Sequence, residues 1–199
     1  MAKTVLFGLL APYADWEAAY LASALNMLAP GAFAVRTVSV SREPVASIGG
    51  FQVMPDFDAA SVPDDYAALA LIGGMGWRGG AARGFLPLAE DYFRRGKVLG
   101  GICDAAAFLA RAGALNHVRH TANSLDDLKN LGGPAYAGEA LFAAKQAVRD
   151  GNIVTANGTA PLEFAREMLL ALEAAPEEKI RGWYDFHKLG FYTAPMPEM

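Results

Sequence analysis

Cys103 is the only cysteine among 199 residues, and it stands where a reactive thiol is made. The stretch Val98-Leu99-Gly100-Gly101-Ile102-Cys103-Asp104-Ala105-Ala106-Ala107 runs from apolar residues through two glycines to the thiol, then into a small-residue segment. That order of strand, sharp turn and helix describes a nucleophile elbow. Its backbone folds so tightly around the nucleophile that the neighbours must be small. Gly101 before the thiol and Ala105 after it meet that need. The N–H groups and positive dipole end of the following helix would face the sulfur and favour thiolate over thiol. The alternative is a buried core cysteine, but core packing does not call for Gly-Gly before the thiol and Ala-Ala after it.

The elements that must position this thiol follow from periodicity. Lys3 to Leu10 is a continuous apolar run, as in a strand buried on both faces. Asp15 reads as an N-cap, with a helix over Trp16 to Leu28 stopped by Pro30-Gly31. Ala34 to Val40 alternates as a second strand, and Phe51 to Met54 after Gly49-Gly50 suggests a short excursion or hairpin. Tyr66 to Ile72 is a core strand ending in Gly73-Gly74, Phe85 to Arg95 a helix, Lys97 to Ile102 the strand feeding the thiol, and Ala105 to Ala112 the helix leaving it. Ser124 caps a short helix. Gln146 to Val148 and Ile153 to Ala156 flank an Asp150-Gly151 hairpin turn. Ala160 to Ala174 is a helix with Pro161 in its first turn, and Glu177 to Gly190 a last one, before a peripheral tail.

Strands alternate with helices, which predicts an α/β fold: a parallel sheet sandwiched by helices over residues 1–199 as one domain. Ligands in such sheets bind beyond the carboxyl ends of the strands. The loop Pro12 to Glu17, the pair Gly73-Gly74 and Cys103 all fall on that edge. An apolar content of 53% and a net charge of −4 without a basic block make nucleic acid a poor partner. No apolar run reaches membrane-spanning length. One cysteine and no export signal predict a reducing cytoplasm.

Four segments together resemble the ThiJ/PfpI superfamily, whose fold is flavodoxin-like and class I glutamine amidotransferase-like. They are Tyr13-Ala14-Asp15-Trp16-Glu17, Asp65 to Gly74, Gly101-Ile102-Cys103-Asp104-Ala105, and Ile153 to Ala165. The resemblance implies that Glu17 faces Cys103, and that the backbone N–H groups of Gly74 and Asp104 bind an oxyanion. It also implies a homodimer. The family's histidine is not matched: Asp104 follows the cysteine, and the other local match falls near Thr121-Ala122-Asn123, so that Asn123 or Ala122 replaces it, with His120 close by but out of register.

A thiolate and a carboxylate in contact cannot both ionise cheaply, so Glu17 beside Trp16 is expected to hold a proton near neutral pH and donate it toward the sulfur. Glu17 otherwise reads as a helix-start charge. Asp104 either orients a substrate or caps its helix. His120 is either an acid–base group or a satisfied core histidine. Trp16, Met75, Trp77 and Tyr13 are candidate pocket walls or simply core edge, and Arg78 is a candidate contact for a substrate anion. Catalytic candidates are thus Cys103, Glu17, Asp104 and Gly74, and substrate-binding candidates Trp16, Met75, Asn123 and His120. No cofactor is implied, and His117 and His187 lack metal-ligand neighbours. Three functions compete. One is a cysteine-dependent hydrolase, hydratase or glyoxalase-like enzyme acting on a reactive small molecule. The others are an oxidative-stress sensor and a non-catalytic amidotransferase-like binding protein.

Overall fold

The computed structural model describes residues 2–197. In chain order the elements are β1 (Lys3–Gly8), α1 (Asp15–Leu28), β2 (Phe33–Ser39), β3 (Val45–Ala46), β4 (Gln52–Val53), β5 (Phe57–Asp58) and β6 (Tyr66–Leu71). Two 3-10 turns, Met75–Arg78 and Gly80–Phe85, lead into α2 (Leu86–Arg94). Then come β7 (Val98–Ile102), α3 (Asp104–Arg111), α4 (Leu125–Gly132), β8 (Ala147–Asp150), β9 (Ile153–Ala156), α5 (Pro161–Ala171) and α6 (Glu177–Leu189).

The seven-stranded sheet has the order β5-β2-β1-β6-β7-β9-β8. Every pairing in it is parallel except β8 with β9, the hairpin turned by Asp150-Gly151. The central strands are apolar on both faces because both are covered. In β1, Val5 and Phe7 join a core under α1, α5 and α6, while Leu6 points into the core under α2, α3 and α4. In β6, Ala68 and Ala70 serve the first core and Leu69 and Leu71 the second. Burying each such leucine or phenylalanine contributes about 1.5–3 kcal/mol.

The predicted flavodoxin-like layout is the one observed, with local differences. Asp15 is not the N-cap of α1; Ala14 is. The Asp15 carboxylate instead accepts the Gly49 N–H at 2.8 Å and ties the β3–β4 hairpin to the helix. Ser124 does cap α4, its hydroxyl accepting the Asp127 N–H at 3.0 Å. Trp183 of α6 is buried edge-on against Tyr20 of α1, so it seals the core, whereas Phe191 and Tyr192 project from the chain end.

Four neighbouring strands, β1, β6, β7 and β9, end at the same sheet edge. Their exits carry, in turn, the loop to Glu17, the Gly73-Gly74 pair, Cys103 and the Asn157-Gly158 turn.

Candidate functional site

Cys103 sits between β7 and α3 at φ 60°, ψ −130°, a region that a residue with a Cβ enters only under strain. Such a conformation costs about 1–3 kcal/mol and persists where its surroundings enforce it. Here the Cys103 N–H donates to the Ala156 carbonyl at 2.9 Å, pinning the elbow to the end of β9. The bend presents the sulfur at the sheet edge, half-buried, with the Asp104 backbone N–H directed at it.

Glu17 projects from the first turn of α1 and is buried, 1% exposed. Its Oε2 accepts the Gly73 N–H at 2.9 Å, whereas Oε1 is buried without a hydrogen-bond partner. Gly158 shows how closely Oε1 and the thiol share space. A Cβ there would lie 2.9 Å from the Cys103 Sγ and 3.3 Å from the Glu17 Oε1. Only a glycine leaves that volume open. Gly74 is fixed in a different way: it has φ +136°, and a Cβ on it would come within 2.8 Å of the Tyr13 Cα.

Asn123 approaches from the loop before α4. Its Nδ2 donates to Cys103 Sγ at 3.3 Å and reaches Asp104 Oδ1 at 3.4 Å, and its Oδ1 accepts the Gly158 N–H at 2.8 Å. Trp16, 48% exposed, lies at the rim, its indole N–H reaching the Gly158 carbonyl at 3.4 Å. Met75 is exposed in the turn after Gly74.

Burial pushes the Glu17 carboxyl up to about 7, against the pull of the Gly73 N–H. The thiol is also pushed up, first by burial and then by the Glu17 charge, although the Asn123 amide pulls it down. Burial and the facing carboxylate therefore oppose the helix N–H groups that favour the thiolate. The two groups form one coupled acid. Its first proton leaves near neutral pH and its second leaves far less readily, because the charges would face each other.

Several candidates stand elsewhere. His120 is fully buried, with Nδ1 on the Val118 carbonyl and Nε2 on the Tyr136 hydroxyl, both at 2.7 Å. Both ring nitrogens are engaged, so it is a satisfied core histidine and not a substrate contact. Trp77 is buried between Phe85 and Phe108, its indole N–H donating to the Ile72 carbonyl at 2.6 Å; Tyr13 is likewise core. Neither walls a pocket. Asp104 does not cap its helix. It accepts two hydrogen bonds from Arg78, at 2.6 and 2.7 Å, which removes Arg78 as a free contact for a substrate anion. Gly158 and the Arg78–Asp104 pairing were not anticipated as site features. The Asn-Gly-Thr turn after β9 was the available signal for the first.

A model of the DJ-1/PfpI family matches residues 3–171. The chain belongs to the DJ-1/PfpI family. It is 39% identical over 191 residues to a Bacillus subtilis protein named "Uncharacterized protease YdeA", covering 96% of this chain and 93% of that one. Among solved structures, a DJ-1 superfamily protein from Agrobacterium tumefaciens superposes with a TM-score of 0.83 at 35% identity, over 93% of this chain and 99% of that one. A thiJ/pfpI family protein from Bacillus anthracis gives 0.86 at 30% identity, over 94% and 91%. The DJ-1/PfpI fold thus accounts for the sheet and the elbow. Among the described residues, no three His, Cys, Asp or Glu side chains converge as a metal site, and no helix is long and apolar enough to cross a membrane.

Proposed function

We propose that this DJ-1/PfpI protein is a cysteine-dependent enzyme that acts on a small electrophilic carbonyl compound through a covalent adduct at Cys103. One observation carries the reading: a buried carboxyl, its Oε1 without a hydrogen-bond partner, shares the space above Gly158 with a sulfur already contacted by an amide donor. The ionised Glu17 takes the thiol proton as the sulfur attacks. A C–S bond forms, the carbonyl π pair moves to oxygen, and Glu17 returns the proton to that oxygen. The Asp104 and Gly74 N–H groups and the Asn123 amide are the donors available to the developing oxyanion. With an aldehyde the adduct is a hemithioacetal; for a 2-oxoaldehyde Glu17 then moves the C1 proton to C2, giving a thioester that water hydrolyses to the 2-hydroxy acid and free thiol. With an ester or amide the leaving group departs with the proton, and water then releases the acid.

The protease in the Bacillus relative's name does not transfer simply. A peptidase of the usual kind needs a histidine at the sulfur, and here Asn123 occupies that contact while His120 is turned into the core. A small, already activated carbonyl needs less acid–base help than a peptide. The working unit is proposed to be a homodimer in the cytoplasm.

A second reading, oxidation sensing, is favoured by the unpartnered Glu17 Oε1 beside the thiol. Two equivalents of peroxide would convert the thiol to a sulfinate and two waters, and a protonated Glu17 would then donate to the product.

Intact-mass measurement after exposure to methylglyoxal or to mild peroxide separates the two. A methylglyoxal adduct at Cys103 with turnover, lost in Cys103→Ala, supports the enzyme. Selective gain of two oxygens without turnover supports the sensor. Neither modification would remove both readings.

A further inference from the structure

We propose that Arg78 is a positioning residue for the Cys103 site: its guanidinium neutralises Asp104 and, through that carboxylate, holds the Asn123 amide with its NH2 group on the sulfur. The inference rests on Cys103 being the reactive group.

The contact is geometrically demanding. Arg78 Nε donates to Asp104 Oδ2 at 2.6 Å and Nη2 to Oδ1 at 2.7 Å, the two-pronged arrangement that only an arginine fork makes. The Asp104 side chain is 5% exposed and that of Arg78 47% exposed, so the charge pair straddles the protein boundary. A carboxylate this buried without a cation would be costly. Because Asp104 directly follows Cys103, an uncompensated charge there would also repel the thiolate.

The pair further selects one orientation of an amide. Asn123 Nδ2 lies between two acceptors, Cys103 Sγ at 3.3 Å and Asp104 Oδ1 at 3.4 Å, while its Oδ1 faces the Gly158 N–H at 2.8 Å. Reversed, the amide would set oxygen against both acceptors and NH2 against a donor. Asp104 Oδ1, itself held by Arg78, therefore helps make Asn123 a donor to the sulfur. Arg78 Nη2 also reaches Asp127 Oδ1 at 3.3 Å, so one side chain ties the turn after Gly74 to α3 and α4.

The charged and titratable groups around the thiol are Glu17 from α1 and Asp104 from α3, with Asp127 of α4 lying behind Arg78. Arg78 is the cation among them. Removing it tilts the balance toward negative charge and should make the thiolate harder to form.

The test is the pH profile of Cys103 alkylation by iodoacetamide in the full chain, read by intact mass, with folding checked by circular dichroism. Arg78→Met is expected to move the profile up by about one pH unit, or about tenfold slower reaction at pH 7. The double variant Arg78→Met with Asp104→Asn removes the uncompensated charge but also the carboxylate that orients Asn123, so its profile is expected to fall between that of the single variant and that of wild type. A purely structural role would not be rescued in that way. Should Arg78→Met not fold, Arg78→Gln carries the same expectation. An unmoved profile in the single variant, or a double variant as slow as the single one, overturns the role of Arg78. An unreactive thiol in the wild type would instead count against the Cys103 reading itself.

Discussion

The Asn123 amide nitrogen lies 3.3 Å from Cys103 Sγ, and its oxygen accepts the Gly158 N–H at 2.8 Å. An amide can donate to a sulfur anion but cannot take its proton, so the proposed reaction assigns proton transfer to Glu17, the buried carboxyl across the site. Replacing Asn123 with alanine should remove a donor that favours the thiolate while leaving an exposed position free of packing cost. The expected result is Cys103 alkylation about three- to tenfold slower at pH 7, with a thermal midpoint close to wild type.

Glu17 links the site to pH-dependent stability. Its carboxyl is raised to about 7 in the fold by burial, whereas an unfolded glutamate titrates at about 4.3. Between those two values the folded chain binds more protons than the unfolded one, so stability falls as pH rises. Relative to wild type, Glu17→Gln should therefore gain stability from pH 4 to pH 8, by up to about 3 kcal/mol. Denaturant titrations of both proteins at the two pH values check the sign.

Gly158 should tolerate no side chain. A Cβ 2.9 Å from the sulfur and 3.3 Å from Glu17 Oε1 would push the two reacting groups apart. Gly158→Ala is expected to cost about 1–3 kcal/mol of stability and about a hundredfold in reaction at Cys103, since small displacements of reacting groups are that costly. Stopped-flow alkylation alongside a thermal melt reads both.

The elbow strain predicts an inverted order among cysteine replacements. At φ 60° and ψ −130°, glycine carries no Cβ to strain, so Cys103→Gly should melt higher than Cys103→Ala by about 1 kcal/mol, although glycine is the more flexible residue when unfolded. Calorimetry of the two variants decides it.

Much of this was legible in the sequence because the signals were local. The apolar runs of β1, β6 and β7, and the Gly-Gly-Ile-Cys stretch leading into an alanine-rich helix, each report on their own segment. The sequence misleads where a side chain finds its partner far along the chain. Asp15 looked like a cap, but the Gly49 N–H, 34 residues on, takes its carboxylate. Asp104 and Arg78 are 26 residues apart and meet only because β6 and β7 are neighbours. His120 is three residues from Asn123, yet its backbone joins Leu141 and Ala143 and its ring turns into the core. Sequence proximity carried no information about which way that side chain points. The two-residue edge strand β5 was too short to leave any periodicity.

The most direct test of the account is the pH dependence of Cys103 alkylation in wild type and in Glu17→Gln. Reactivity of the wild-type thiol should rise through a step near pH 7, where the coupled pair loses its first proton. In Glu17→Gln that step should vanish and reactivity rise only above the ordinary thiol range of about 8.5, because burial still holds the thiol up. Superimposable profiles for the two proteins would show that Glu17 does not govern the thiol and would contradict the account.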